Sequence, residues 1–258
     1  MKWTIGADPE LFLVDSNGKF ISSIGLIGGS KEEPLPLKKK GCALQEDNVA
    51  VEFNIPPCKS KQEFVDNLNY VLKEIEKRVS KLKLQIKIVP SAHFSEDQLG
   101  NPMAQRFGCE PDYNAWTLRT NPRPSAKNNN LRSSGAHIHV GFDTKALDRI
   151  KVVRAFDVFV GAWLSSFDED TLRRELYGKA GAFRPKPYGI EYRVPSNVWI
   201  TSEILMKNTY DQCERALQYV AKNPEHTFME SRDLILDAVN NGSLKSFEEL
   251  TNRYPILV

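Results

Sequence analysis

Four stretches of this chain carry acids, imidazoles or a guanidinium at even spacing. Three are Asp8-Pro9-Glu10, His137-Ile138-His139 and Glu191-Tyr192-Arg193, and the fourth holds Glu46 and Glu52, six residues apart. On a β-strand, side chains at i and i+2 point to the same face. Six residues keep that parity if the strand runs so far. The residues between are mostly apolar or aromatic and would face packed helices. A sheet face bearing several carboxylates needs positive charge, because clustered acids repel and would otherwise be protonated or dispersed. Divalent cations supply that charge. Carboxylate oxygens with a neutral imidazole suit Mg²⁺ or Mn²⁺. Two of the four histidines fall in the single HxH.

Each stretch has a plain reading alone. Asp8 and Glu10 could sit in an exposed turn, Glu46 in a loop, and Glu52 on the polar face of an alternating strand. The HxH could be a half-exposed sheet face, and Glu191 and Arg193 a salt bridge. One shared site explains all four together.

The elements that would carry these groups can be read from pattern. Ser16-Asn17-Gly18 signals a hairpin between LFLV and KFISSI. Residues 25–41, rich in Gly, Pro and Lys, read as a loop, and Lys38-Lys39-Lys40 as its solvated part. Within it Gly28-Gly29-Ser30-Lys31 is too short to match a phosphate-binding P-loop. NVAVEFNI (48–55) alternates as a strand. A helix follows, with Ser60 and Glu63 as a capping box and Phe64, Leu68, Val71, Leu72, Ile75 and Val79 on one face. LQIKIV (84–89), GAHIHVGF (135–142) and GIEYRVP (189–195) read as strands. Residues 144–164 read as a helix with Leu147, Ile150, Phe156, Phe159 and Trp163 inward. Three more helices are expected at about 202–222, 230–240 and 246–253, the last capped by Ser246 and Glu249. The polar segment 95–135 is long for a structureless loop. Its Cys109, Glu110, Pro111, Asp112, Tyr113 and Trp116 form a candidate substrate wall, with Trp116 equally suited to the core. Asn128 to Asn130 could close over substrate or form a plain turn. Irregular alternation of strands and helices predicts an α+β fold, an antiparallel or mixed sheet with helices on its outer face.

The 258 residues suit a single domain, 1–258, with 202–258 as a C-terminal helical part. Lys and Arg total 35 against 33 Asp and Glu, so the net charge of +2 gives no bulk reason to expect nucleic acid or membrane partners. No apolar run is long enough to span a bilayer. Without an export signal, the four scattered cysteines read as reduced thiols and the cytoplasm as the location.

These motifs carry a resemblance. GAHIHVG resembles the GxHxHxS strand of glutamine synthetases and glutamate–cysteine ligases, and GIEYRVPS their E-x-R-x-P strand. GADPE is similar to their first acid-x-acid strand, and QEDNVAVEFN to the strand pair that supplies two further glutamates. With GAFRPKPYG around Arg184, the chain resembles the phage-type COOH–NH2 ligases of type 2, from residue 6 to about 199. The resemblance implies a glutamine-synthetase-like catalytic fold with a curved, mainly antiparallel sheet. It implies that Glu10, Glu46 and Glu52 hold one metal ion, with Asp47 as the alternative to Glu46. Asp8, His137 and Glu191 would hold a second between the nucleotide phosphates, Asp8 directly or through water. His139 and Arg193 would contact ATP phosphates, with Arg184 beside them, making Arg193, Glu191 and His139 the catalytic set. ATP and two or three Mg²⁺ or Mn²⁺ ions are the implied cofactors. The implied reaction joins a small-molecule or peptide carboxylate to an amine through an acyl phosphate, in a monomer or small homo-oligomer. Two alternatives stay open. A zinc hydrolase built on the HxH would work without ATP, and a non-catalytic module of the same fold would bind nucleotide or peptide without turnover.

Overall fold

The computed structural model describes residues 2–105, 112–122 and 130–256. Cys109, Glu110, Pro111, Asn128 and Asn129 lie outside the described residues. In chain order the elements begin β1 (Thr4–Val14), β2 (Phe20–Ile21), β3 (Leu35–Pro36), β4 (Ala43–Asp47), β5 (Ala50–Asn54) and α1 (Lys61–Val79). Next come β6 (Gln85–Lys87), β7 (Ser91–His93), β8 (Tyr113–Asn114), β9 (Arg119–Thr120), β10 (Leu131–Ser133) and β11 (Ala136–Gly141). The rest are α2 (Arg149–Phe156), α3 (Ala162–Ser165), α4 (Thr171–Leu176), β12 (Ala182–Lys186), β13 (Gly189–Tyr192), α5 (Glu203–Lys222), α6 (Arg232–Asn241) and α7 (Leu244–Arg253).

Strand β1 organises the sheet. Its sequence TIGADPELFLV alternates, so Ile5, Ala7, Leu11 and Leu13 are buried in the main core while Asp8 and Glu10 take the opposite face. β1 pairs with β5 on one side and β11 on the other, in the order β3-β4-β5-β1-β11-β13-β12-β8-β9, with β2 and β6 on its far end. Every pairing among the described residues is antiparallel. Such a sheet can bury one face and leave the other open to ligands.

The buried face is covered by α1, α2 and α5, which share one apolar cluster with Ile138, Val140, Ile190 and Tyr192. Ser60 caps α1 by accepting the N–H of Glu63, and Glu63 accepts the N–H of Lys59 in return. Phe64 of α1 stacks on Trp199 at a centroid distance of 5.7 Å, and Tyr210 of α5 lies 5.5 Å from the Phe64 ring. A second, smaller cluster of Phe12, Val49, Ala50, Ala92, Phe94, Leu99 and Ala104 forms around the far end of β1.

Several expected boundaries move. The helix expected from 144 begins at Arg149, because Asp148 caps it through the N–H of Lys151, and it continues into a π-helical turn, Asp157–Gly161. The last helix begins at Leu244 rather than 246. Ser243 is its cap, and the Ser246 hydroxyl donates to Asp237 instead. The 95–135 segment contains 3₁₀ turns at Glu96–Gln98 and Pro102–Gln105 and the short β8, β9 and β10. Helix α4 and strand β12 were not anticipated. Cys42, Cys58 and Cys213 are buried free thiols.

Candidate active site

The polar sheet face floors a cleft of about 680 Å³. Register assembles its floor. Glu10 faces Glu52 across β1 and β5, and Asp8 faces His137 across β1 and β11. His139 faces Glu191 across β11 and β13, and Glu191 faces Arg184 across β13 and β12. Residues far apart in sequence thus become neighbours through antiparallel pairing alone.

Two clusters result. Ligand-type atoms of Asp8, His137 and Glu191 lie within 4.8 Å of one another, and so do those of Glu10, Asp47 and Glu52. Glu46 is not among them, which corrects its assignment as a ligand. The chain reverses at Asn48-Val49, a two-residue turn with Asn48 at φ 55°, so Gln45 pairs with Glu52, Glu46 with Val51 and Asp47 with Ala50. Opposed residues share a face. Gln45 and Asp47 therefore join Glu52, while the Glu46 carboxylate turns away from them to the backbone N–H groups of Gly25, Ile27 and Gly28. The six-residue parity fails because the strand does not run that far.

In the first cluster, His137 Nδ1 lies 3.6 Å from Asp8 Oδ1, and His139 Nε2 3.0 Å from Asp8 Oδ2. The other nitrogen of His139 meets the Tyr188 hydroxyl at 2.5 Å. Glu191, 2% exposed, is ringed by cations: Lys186 at 2.7 Å, Arg184 at 3.2 Å and Arg193 in direct contact. Arg193 also reaches His137 Nδ1 at 3.3 Å, and its Nε lies 3.4 Å from Asp112. Burial pushes the Asp8 carboxyl up, but the two imidazoles outweigh it and hold Asp8 well below the usual carboxylate range. Burial and Asp8 raise Glu191, while Arg193, His137 and Lys186 bring it down to about 2. Burial and Arg193 lower His137, favouring the neutral, metal-binding imidazole. Burial also opposes charge on His139, yet Asp8 prevails and raises it.

The second cluster has the opposite balance. Burial, then the Asp47 carboxylate, push Glu10 up to about 8. Burial and the neighbouring Asp8, Glu10 and Asp47 push Glu52 well above its ordinary value, and burial raises Asp47. Glu10 is oriented by the Gly135 N–H at 2.7 Å, and Glu52 by Gln45 at 2.6 Å.

The residue patterns give no sign of Arg173, which comes from the unanticipated α4. It donates to the carbonyls of Ser134, Val194 and Pro195, tying the entry to β11 to the exit of β13. Lys186 and Tyr188 were also missed, although they lie five and three residues before Glu191. Of the proposed substrate wall, Asp112 lines the cleft. Trp116 does not. It is buried behind the sheet, with its indole N–H donated to Asp157 at 2.6 Å.

Residues 126–245, just under half of the chain, match the family model of phage phiEco32-like COOH–NH2 ligases, type 2. The match bears out the family resemblance and takes in two of the motifs that carry it, GAHIHVG and GIEYRVPS. Among solved structures, a bifunctional glutathione synthetase from Pasteurella multocida aligns with 11% identity and a TM-score of 0.51, over 99% of this chain and 47% of that one. The chain thus spans about half the length of that protein. An apo GmaS structure aligns at 12% identity and TM-score 0.42, over 98% of this chain and 68% of that one. A glutamine synthase homolog aligns at 10% and 0.40, over 98% and 66%. At such identity the likeness is one of fold, and the α+β class expected from the sequence, a mainly antiparallel sheet with helices on one face, is borne out. No curated protein sequence matches the chain.

Proposed function

We propose that this protein is an ATP-dependent carboxylate–amine ligase. The observation that carries the reading is the pairing of two carboxylate clusters on one sheet face, with Arg184, Lys186 and Arg193 gathered around Glu191 at the edge of the first. The donor sets fit divalent ions. Asp8 Oδ1 is buried without a hydrogen-bond partner among the described residues, and the carboxyls of Glu10, Asp47 and Glu52 crowd together at raised pKa. Oxygen-rich sets with one imidazole suit Mg²⁺ or Mn²⁺. Asp8, His137 and Glu191 would hold one ion, and Glu10, Asp47 and Glu52 another. When bound, such ions offset phosphate charge and act as Lewis acids.

The chain's own residues do the rest. Arg184, Lys186 and Arg193 meet the charge of the transferring phosphoryl group, where fixed cations replace mobile water. Tyr188 and Asp8 hold His139 from either side, so its ring orientation is set before nucleotide arrives. The substrate carboxylate oxygen attacks the γ-phosphorus and ADP leaves, giving an acyl phosphate. The amine nitrogen then attacks the acyl carbon, the C–O bond to phosphate breaks, phosphate leaves with the proton the amine gives up, and an amide or isopeptide forms.

The test is ADP release by the Mg²⁺-loaded protein across a matrix of carboxylates and amines. Release that needs both partners, and falls in Glu191→Gln, supports the ligase. Hydrolysis without ATP would select a zinc hydrolase instead. Tight nucleotide binding with no turnover under any pairing would select a non-catalytic module.

A further inference from the structure

Glu46, turned away from the acid cluster, has a different occupation. Its carboxylate accepts the backbone N–H groups of Gly25 at 2.9 Å, Ile27 at 3.0 Å and Gly28 at 2.7 Å. Its own N–H donates to the carbonyl of Gly29 at 3.2 Å. Gly28 and Gly29 lie at φ +80° and +81°, and a Cβ on Gly29 would sit 2.5 Å from the Leu44 carbonyl oxygen. The loop therefore lies directly on β4, and glycine is what permits it. Beyond it, Ser30 N–H donates to the Glu33 carbonyl at 3.0 Å, and Glu33 N–H returns to Ser30 Oγ at 3.1 Å. Lys31 and Glu32 form the middle of that tight turn, and Ser30, Lys31 and Glu32 line the cleft.

The cleft's other guanidinium and ammonium groups are engaged elsewhere. Arg173 serves three carbonyls, and Arg132 donates to those of Leu131 and Ala104. Arg184, Lys186 and Arg193 surround Glu191. Among the described residues Lys31 has no hydrogen bond or ion pair, and its charge is felt by Asp47. It is the cation on the β4–β5 side of the floor, across from the group assigned to phosphate.

We propose that Lys31 binds the substrate carboxylate beside Glu10, Asp47 and Glu52, and that Glu46 is a positioning residue that presents Lys31 by clamping residues 25–28. The identity of the anion as a substrate carboxylate rests on the ligase reading. A fixed loop matters because a lysine on a mobile one would lose much of its pairing to side-chain and loop entropy.

The test uses the full chain loaded with Mn²⁺ and titrated with oxalate, a small carboxylate probe that coordinates divalent ions. Lys31→Ala should weaken oxalate about tenfold, the size of one lost charge contact, and Lys31→Arg should restore most of it. Glu46→Ala should weaken oxalate to a similar degree and add little in the double variant, because it acts through Lys31. It should also speed amide exchange over residues 25–31 and leave the number of bound Mn²⁺ ions unchanged, whereas Asp47→Asn should weaken Mn²⁺ binding itself. No oxalate binding by the Mn²⁺-loaded wild type, unchanged affinity in Lys31→Ala, or loss of one Mn²⁺ in Glu46→Ala would overturn the proposal. Binding of an ATP analogue to the same samples separates the two readings. Oxalate effects without nucleotide binding leave the loop roles standing and remove the ligase. Nucleotide binding with unchanged oxalate affinity does the reverse.

Discussion

At the scale of single residues, Arg193 joins groups from three separate segments of the site. It meets Glu191, His137 and Asp112 at once and is 7% exposed. A guanidinium fixed in this way is preorganised for a developing phosphoryl charge. Arg193→Ala is expected to lower ADP release by about 10²–10³-fold with the folded state intact. Near-normal turnover in that variant would contradict its role. Asp8, Glu10, His137, His139, Glu191 and Arg193 were legible as a shared face because each pair lies within one uninterrupted strand or, for Arg193, one residue past its end, where i and i+2 suffices. Glu46 was misjudged and Asp47 left as an alternative because their strand ends in a two-residue turn. Across a hairpin, facing depends on register rather than on the parity of a sequence separation. The Asn48-Val49 turn was the missing signal. Lys186 and Tyr188 became visible only once β12 and β13 were paired.

Among the elements, the β12–β13 hairpin carries Arg184, Lys186 and Glu191, and Gly189 starts its second strand. A Cβ there would overlap the carbonyl oxygen of Val140 on β11, and Gly189 lies at positive φ. Gly189→Ala should therefore cost roughly 2 kcal/mol or more and loosen the register that joins His139 to Glu191. Chemical denaturation would measure the first effect and amide exchange in β11 the second. An unchanged midpoint would show that the sheet yields easily there. Behind the same hairpin, Asp157 in the π-helical turn accepts the Trp116 indole and the Tyr192 hydroxyl, at 2.6 and 2.8 Å. Burial pushes its carboxyl up from 3.8 to about 7, against the pull of these donors and Arg154. Between those values the folded chain keeps a proton that the unfolded chain has released. Its contribution to stability thus falls as pH rises through that window, by at most about 1.4 kcal/mol per unit, and is flat above it. Asp157→Ala should remove that slope while lowering stability by about 2–4 kcal/mol, since it strands two buried donors. Equal slopes for variant and wild type would refute the assignment. Strong patterns made β1, β11, β13, α1 and α5 readable. The short β8–β10 strands and six-residue α4 were not, because their form is set by tertiary pairing and by capping from Asp170 rather than by periodicity.

For the whole molecule, Met206, Tyr210, Cys213, Leu217 and Val220 of α5 share one apolar cluster with the sheet. We read 1–258 as one domain in which the C-terminal helices back the sheet that carries the candidate site. No helix among the described residues is long and apolar enough to cross a membrane. The open face concentrates acids whose mutual repulsion a divalent ion would relieve, so folding and metal binding should be linked. Mn²⁺ at 100 times its dissociation constant should stabilise the chain by about 2.7 kcal/mol per site, and chelation should reverse the gain. A melting temperature indifferent to metal would deny the clusters that role. The most direct test of the account is calorimetric binding of a non-hydrolysable ATP analogue, with and without Mg²⁺, to the wild type and Glu191→Gln. Mg²⁺-dependent binding that Glu191→Gln weakens is the predicted result. A folded protein that binds no nucleotide under any metal condition would contradict the ligase assignment.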